Sequence, residues 1–327
     1  MDAPACSVSR RCCEVEREKS CKEPHMKISV VHSGAWPLIL KTDDDSDCRK
    51  IFFLPRIAQT ARDCSLLRLF LRVAIALPTT CGSLRSRASD GRWFPIGWSC
   101  FPGKQSTRVF GLTAPTKSRC MRFMQQEMPA SFLLLSAIVE KIWATVVSLF
   151  PSESALMTGG VSETNGAARA GETGFIANTG FHKADIGIMR DMSWHKDTQN
   201  TKGSIAAVLV LGDFSGGEVC FDFSEGETAA NKVDAVCNRH GSLFLGHYGS
   251  VRHRVNSVVS GTRVVLACYS TQLVYNFQKV LRVHRMSWRQ AQEIKEDRKW
   301  LLRFCFPENR AKVLEAWRKD DFDGPGK

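Results

Sequence analysis

Between Met128 and Phe150 the chain reads MPASFLLLSAIVEKIWATVVSLF, apolar on most sides, with Pro129 near its start and Pro151 just past its end. Proline is tolerated in a first helical turn and stops a helix at the far end, so this stretch predicts a buried helix. Residues 152–180 are rich in Gly, Ser, Thr and Ala and read as a loop. The period then shortens. Ala184–Met189, Ser204–Leu211, Val219–Phe223, Lys232–Cys237 and Gly241–Gly246 are short apolar runs, with GDFSGGE (212–218) as a turn between the second and third. Arg252–Val259 and Thr262–Thr271 flank Ser260-Gly261, a hairpin signature. Six or seven short strands with no helix among them argue for an antiparallel sandwich or barrel and against a Rossmann sheet. From about Gln278 the composition turns helical again.

The first part of the chain is less regular. Short apolar runs at 51–54, 65–77 and 93–101 stand among Arg, Ser, Thr, Gly and Pro. The expected organisation is a poorly ordered, basic, Cys-rich extension over 1–126, a folded domain over 127–277 with its β core at about 180–275, and a basic helical extension over 278–327. Arg68 and Arg72 interrupt one apolar stretch and Glu140 and Lys141 another, so no membrane-spanning helix is expected.

Charge sharpens this division. The chain has 327 residues and a net charge of +12. Residues 51–126 carry 12 basic and 2 acidic groups, 127–277 carry 11 and 14, and 278–327 carry 13 and 8. A slightly acidic middle between basic flanks suits a polyanion such as nucleic acid, although a solvated basic arm has the same composition. The 13 cysteines form no C-x-x-C pair and the total is odd. The first residues lack the apolar core of a secretory signal, so the expectation is reduced thiols in an intracellular protein.

The chemistry concentrates in His195-Lys196-Asp197, His253 and Arg263. Residues two apart on an extended segment point the same way, so His195 and Asp197 are able to converge. His253 follows on a later strand. Two imidazoles and one carboxylate make the facial triad that holds Fe(II) with three positions open, enough for a bidentate 2-oxo acid and dioxygen. Arg263, ten residues after His253, is suited to grip the far carboxylate of such a cosubstrate. Taken singly, an H-x-D tripeptide is unsurprising, a strand histidine is more often structural, and an arginine after a turn is usually a surface residue. Their order across the strands gives them weight. His247 is a competing distal ligand, and His240, beside Arg239, reads as solvated. His182 and Asp185 are three apart and point oppositely on a strand. Trp194 and Tyr248 are aromatic candidates for stacking on a substrate, against the commoner role of packing.

Three segments, WHKD (194–197), GDFSGGEVCF (212–221) and HRVNSVVSGTR (253–263), resemble the Fe(II)- and 2-oxoglutarate-dependent dioxygenase superfamily. Ser257 stands where the family's H-x-V-x-P form has proline. The resemblance implies a mainly β fold, a double-stranded β-helix (jelly-roll) core with flanking helices. It implies Fe(II) held by His195, Asp197 and His253, with 2-oxoglutarate bound through Arg263 and ascorbate as a reductant. The expected reaction is hydroxylation of a C–H bond with release of succinate and CO₂. The layout from His195 to Glu218 is similar to the TET/JBP group of nucleic-acid base hydroxylases, and prolyl hydroxylases share most of it. A methylated base, a protein side chain such as proline, or no reaction at all (a nucleic-acid-binding jelly roll) are the functional alternatives.

Overall fold

The computed structural model describes residues 38–41, 50–58, 60–82, 91–99, 108–109, 112–113, 116–158, 174–222, 233–236 and 238–283. The expected C-terminal extension therefore lies largely outside the described residues, as does most of the stretch before residue 50.

Eight strands form the core. They are β7 (Lys183–Ile188), β8 (Met192–His195), β9 (Ala206–Gly216), β10 (Val219–Asp222), β11 (Val233–Val236), β12 (Ser242–Gly246), β13 (Arg252–Val255) and β14 (Val258–Tyr269). They divide four and four between two antiparallel sheets, in the orders β12-β9-β14-β7 and β11-β10-β13-β8. The chain crosses from one sheet to the other at every connection but β10–β11. That is the double-stranded β-helix, a mainly β jelly roll.

The larger sheet extends beyond these four. β1 (Leu38–Lys41) and β2 (Lys50–Leu54) add at the β12 edge, and β3 (Arg92–Ser99) adds beside β7. The short strands β4 (Arg108–Val109) and β5 (Leu112–Thr113) pair with each other, and β6 (Thr116–Lys117) pairs with β3. This corrects the expected extension over 1–126. Its described parts belong to the domain, because KIFFL pairs along β12 and RWFPIGWS along β7, completing edges that would otherwise present unpaired backbone.

Four helices pack on one face of the larger sheet, α1 (Ala61–Ala76), α2 (Arg119–Glu127), α3 (Pro129–Leu149) and α4 (Pro151–Thr158), and α5 (Gln272–Val283) follows β14. Thr60 opens α1 with a capping box: its hydroxyl accepts from Asp63 N–H, and its own N–H donates to the Asp63 carboxylate, both at 3.1 Å. α3 starts at Pro129 and buries Leu135, Ile138, Val139, Ile142, Trp143 and Val146, the spacing of one helical stripe. By length and composition α3 is long and apolar enough to cross a membrane, despite Glu140 and Lys141; here its stripe packs into the core.

Two apolar clusters follow from the alternation of the strands. Ala184, Ile186, Leu209, Leu211, Val264 and Leu266 face the helices, whereas Val210, Phe221, Phe244, Tyr248 and Val251 fill the space between the sheets. The second cluster is the floor of the site. Among the described residues, Cys64, Cys81, Cys120, Cys220 and Cys268 are free thiols.

The expected hairpin at Ser260-Gly261 is absent. The chain turns earlier, at Asn256-Ser257, and β13 and β14 go to opposite sheets. Gly261 lies within β14, opposite Phe214, at φ +80°. A Cβ there would collide with the Asp213 carbonyl oxygen. Gly261→Ala should therefore lower unfolding free energy by at least about 2 kcal/mol, the left-handed backbone cost plus the clash. A urea titration showing no loss would mean β9 gives way freely.

Candidate metal centre

His195 ends β8 and His253 lies in the middle of β13, and the register sets them directly opposite each other. Their ring centroids are 4.2 Å apart. Asp197 follows β8, where its N–H donates to the Tyr248 carbonyl at 3.0 Å and Asn200 N–H donates back to its own carbonyl at 2.9 Å. That turn aims the carboxylate at the histidines: Oδ1 is 3.5 Å from His195 Nε2 and Oδ2 is 4.0 Å from His253 Nε2. One ligand atom from each of the three residues lies within 4.8 Å of the others. Neither His247 nor His240 joins this group among the described residues.

The hydrogen bonds fix which nitrogen faces the centre. His195 Nδ1 donates to the Ser193 carbonyl at 2.7 Å, and His253 Nδ1 donates to the Val251 carbonyl at 3.0 Å. With the proton on Nδ1, both Nε2 lone pairs point toward Asp197. His195 Nε2 is shielded from water and has no hydrogen-bond partner. Two oriented lone pairs beside a carboxylate are a donor set suited to a divalent transition metal. The three are unevenly exposed: Asp197 is 40% open and His253 only 6%. His253 packs edge-on against Tyr248, centroids 4.8 Å apart.

Burial pushes the His253 imidazole below the ordinary histidine range, with the positive charge His195 acquires on protonation acting the same way and Asp197 opposing. A lowered histidine pKa means the unfolded chain binds the proton first. The metal-free fold should therefore lose stability as pH falls below about 6.5. Thermal unfolding of the wild type against His253→Leu isolates the effect: the difference between them should shrink on acidification, and a difference independent of pH would contradict it.

Arg263 points into the space between the sheets. It is 2% exposed, and its Nε and one terminal nitrogen have no hydrogen-bond partner. Phe214 lies 5.8 Å from the guanidinium. Desolvation lowers its pKa to about 10, while Tyr248 and Glu218 oppose that shift. A buried guanidinium with open donors lacks an anion, and a ligand carboxylate fits that vacancy of charge. Gly217, in the β9–β10 turn at φ +68°, makes room for it, because a Cβ there would stand 2.7 Å from Arg263 Cδ. Gly217→Ala should displace the arginine; on the reading of Arg263 as a carboxylate-binding group, 2-oxoglutarate affinity should then fall about tenfold, the equivalent of ~1.4 kcal/mol lost from a charge-assisted pair. Isothermal titration with 2-oxoglutarate checks this; unchanged affinity would contradict it.

The other residues singled out in the sequence take different places. Tyr248 is core, 3% exposed, with a shielded hydroxyl that has no partner. Trp194 sits on the outer side of the smaller sheet, between Arg252 at 5.4 Å and Arg254 at 5.0 Å. His240 is half-buried, not solvated: its Nδ1 accepts from Gly212 N–H at 3.1 Å. His182 is wholly buried, accepting from Thr271 N–H and bonded to Gln278. Asp185 accepts from the Tyr269 hydroxyl at 2.8 Å on the inner wall. Nothing in the local sequence marked that last pair, since the two residues lie 84 positions apart.

No family model and no curated protein matches the chain. Among solved structures it is similar to a 2OG-Fe(II) oxygenase-family oxidoreductase from Burkholderia pseudomallei, at 14% identity and TM-score 0.40, over 67% of this chain and 82% of that one. It is also similar to NgTET1 in complex with 5mC DNA, at 15% identity and TM-score 0.42, over 71% and 80% respectively. A prolyl-4-hydroxylase from Pseudomonas putida matches at 9% identity and TM-score 0.34, over 68% and 92%.

Proposed function

We propose that this protein is an Fe(II)- and 2-oxoglutarate-dependent oxygenase that hydroxylates a C–H bond. One observation carries the reading: His195, Asp197 and His253 converge in the jelly roll, and the same interior holds a guanidinium with unmet donors. His195, Asp197 and His253 would hold the iron. Bound iron would supply the redox chemistry that couples oxidative decarboxylation of the 2-oxo acid by dioxygen to hydroxylation of the substrate. The protein's own residues do the rest. Ser193 and Val251 carbonyls keep each imidazole presenting Nε2. Arg263 grips the far carboxylate of the cosubstrate, and Phe221, Phe244 and Tyr248 keep water from the inner side.

The basic flanks support a nucleic-acid substrate, a methylated base foremost, with a prolyl or other protein side chain as the second reading. A jelly roll that merely binds nucleic acid has no need of an oriented triad and a buried arginine together. The test is succinate release with Fe(II), 2-oxoglutarate and ascorbate, offering methylated DNA, methylated RNA and proline peptides in parallel. Substrate-stimulated succinate with one class supports the reading. No succinate above a metal-free control in any arm would overturn it.

A further inference from the structure

On the helix-covered side of the larger sheet, α1 and α3 lie side by side and send their buried stripes into the same apolar cluster. Their outer faces therefore look the same way, away from the sheet. On the surface helix of a domain bathed in water that outer face is ordinarily charged or polar. On α3 it is not. Along it run exposed Ala130, Leu133, Ala137, Glu140, Ala144 and Val147, spaced three or four apart, and Glu140 is the one charge on this face. Leu133 is 70% exposed and Val147 44%. Leu69 and Ile75 on α1 are also large, apolar and exposed.

The charge comes from α1. Arg62, Ser65, Leu69 and Arg72 follow one another at steps of three and four along its exposed side, and Arg68 and Ile75 stand on either side of Arg72 at the same steps. Asp63, the only acid of this helix, is turned inward. It closes the cap at Thr60 and accepts from Lys141 of α3 at 2.8 Å. Three guanidinium groups thus face outward with no carboxylate of their own helix beside them, and part of the basic excess of residues 51–126 is placed here.

A cationic face beside an apolar one suits an anionic lipid surface. Apolar tips enter the acyl boundary, arginine stems lie along it, and the guanidinium heads reach the phosphates. Nucleic acid fits less well. It satisfies the arginines but offers nothing to the apolar stripe of α3, and neither helix exposes an aromatic ring on which a base would stack. The face also looks away from the metal triad, which lies between the two sheets, so a strand held here is not presented to the iron. Although α3 is long and apolar enough to cross a bilayer, its inner stripe is committed to the core. It is able to lie in the interface but not to span.

We propose that the outer faces of α1 and α3 form a peripheral docking surface for an anionic membrane, with Leu69, Leu133 and Val147 entering the headgroup boundary and Arg62, Arg68 and Arg72 pairing with lipid phosphates. The inference goes beyond the oxygenase reading and does not depend on it, since none of these side chains belongs to the candidate metal centre.

The test is co-sedimentation of the full chain with phosphatidylcholine vesicles, with and without phosphatidylserine, at low and high salt. The wild type should bind the serine-containing vesicles at least about tenfold more tightly, and less so as salt rises. Arg62→Gln, Arg68→Gln and Arg72→Gln together should weaken binding by on the order of 100-fold, about fivefold per arginine. Leu133→Gln with Val147→Gln should weaken it about tenfold and leave the salt dependence in place. All five positions are exposed, so both variants should keep the wild-type unfolding midpoint. Other basic segments of the chain remain in these proteins, so the variants carry the decision. No vesicle binding by the wild type, or variants that bind as the wild type does, would overturn the inference. So would duplex DNA binding that falls in the arginine variant while vesicle binding holds, which makes the face a nucleic-acid surface. A dimer in sedimentation velocity that is lost in the Leu133 and Val147 variant, with vesicle binding unchanged, would make it an interface between copies instead.

Discussion

Asp197→Ala is expected to bring 2-oxoglutarate turnover to the metal-free background and to cost at least about 100-fold in Fe(II) affinity. Loss of a group that merely orients a ligand typically costs 10–100-fold, and Asp197 supplies the donor itself. It is also the only carboxylate among the three converging residues, so its removal leaves two neutral imidazoles and no anion to offset the charge of the cation. The fold should survive. Asp197 is 40% exposed, lies beyond the end of β8, and holds its turn through backbone atoms that alanine keeps. A variant with native unfolding behaviour and undiminished succinate release would remove Asp197 from the site.

Arg263→Met should separate stability from function in opposite directions. Cosubstrate binding should fall by at least about 100-fold, since a charge-assisted pair in a shielded place contributes on the order of 3 kcal/mol. The ligand-free fold should gain stability, by about 1–3 kcal/mol. A wholly buried guanidinium with open donors has paid for desolvation without full return, and methionine fills similar volume at no such cost. Metal binding should persist, as none of the three candidate ligands depends on Arg263 for its hydrogen bonds. Denaturant midpoints and titrations with 2-oxoglutarate read both effects. A destabilised variant that still bound the cosubstrate would mean Arg263 is a structural element of β14 and nothing more.

One half of the triad was legible because it is local. His195 and Asp197 are two residues apart, and a two-residue step on an extended chain has one geometric meaning. Arg263 was singled out beside a hairpin that does not exist: Gly261 is there to let β14 pass close to the Asp213 carbonyl, not to reverse the chain. The Ser-Gly pair reads as a turn, but a glycine in a sequence does not distinguish a turn from a close approach within a long strand. The N-terminal strands were missed for a different reason. KIFFL and RWFPIGWS are brief, the second contains Pro95, and each becomes a strand only by pairing with residues about 90 or 190 positions further on. No local period records such an edge. The same holds for Asp185 and Tyr269, whose meeting depends on the β7–β14 register.

The central claim is that His195, Asp197 and His253 form one iron site next to a cosubstrate pocket governed by Arg263. Anaerobic titration of the full chain with Fe(II), followed by 2-oxoglutarate, tests it most directly through the visible absorption that appears when a 2-oxo acid chelates ferrous iron. The account predicts one Fe(II) per chain, a band that saturates with 2-oxoglutarate, no band with Asp197→Ala, and a band that needs far more 2-oxoglutarate with Arg263→Met. A band of equal strength in the Asp197→Ala protein, or no saturable iron binding by the wild type, would contradict it.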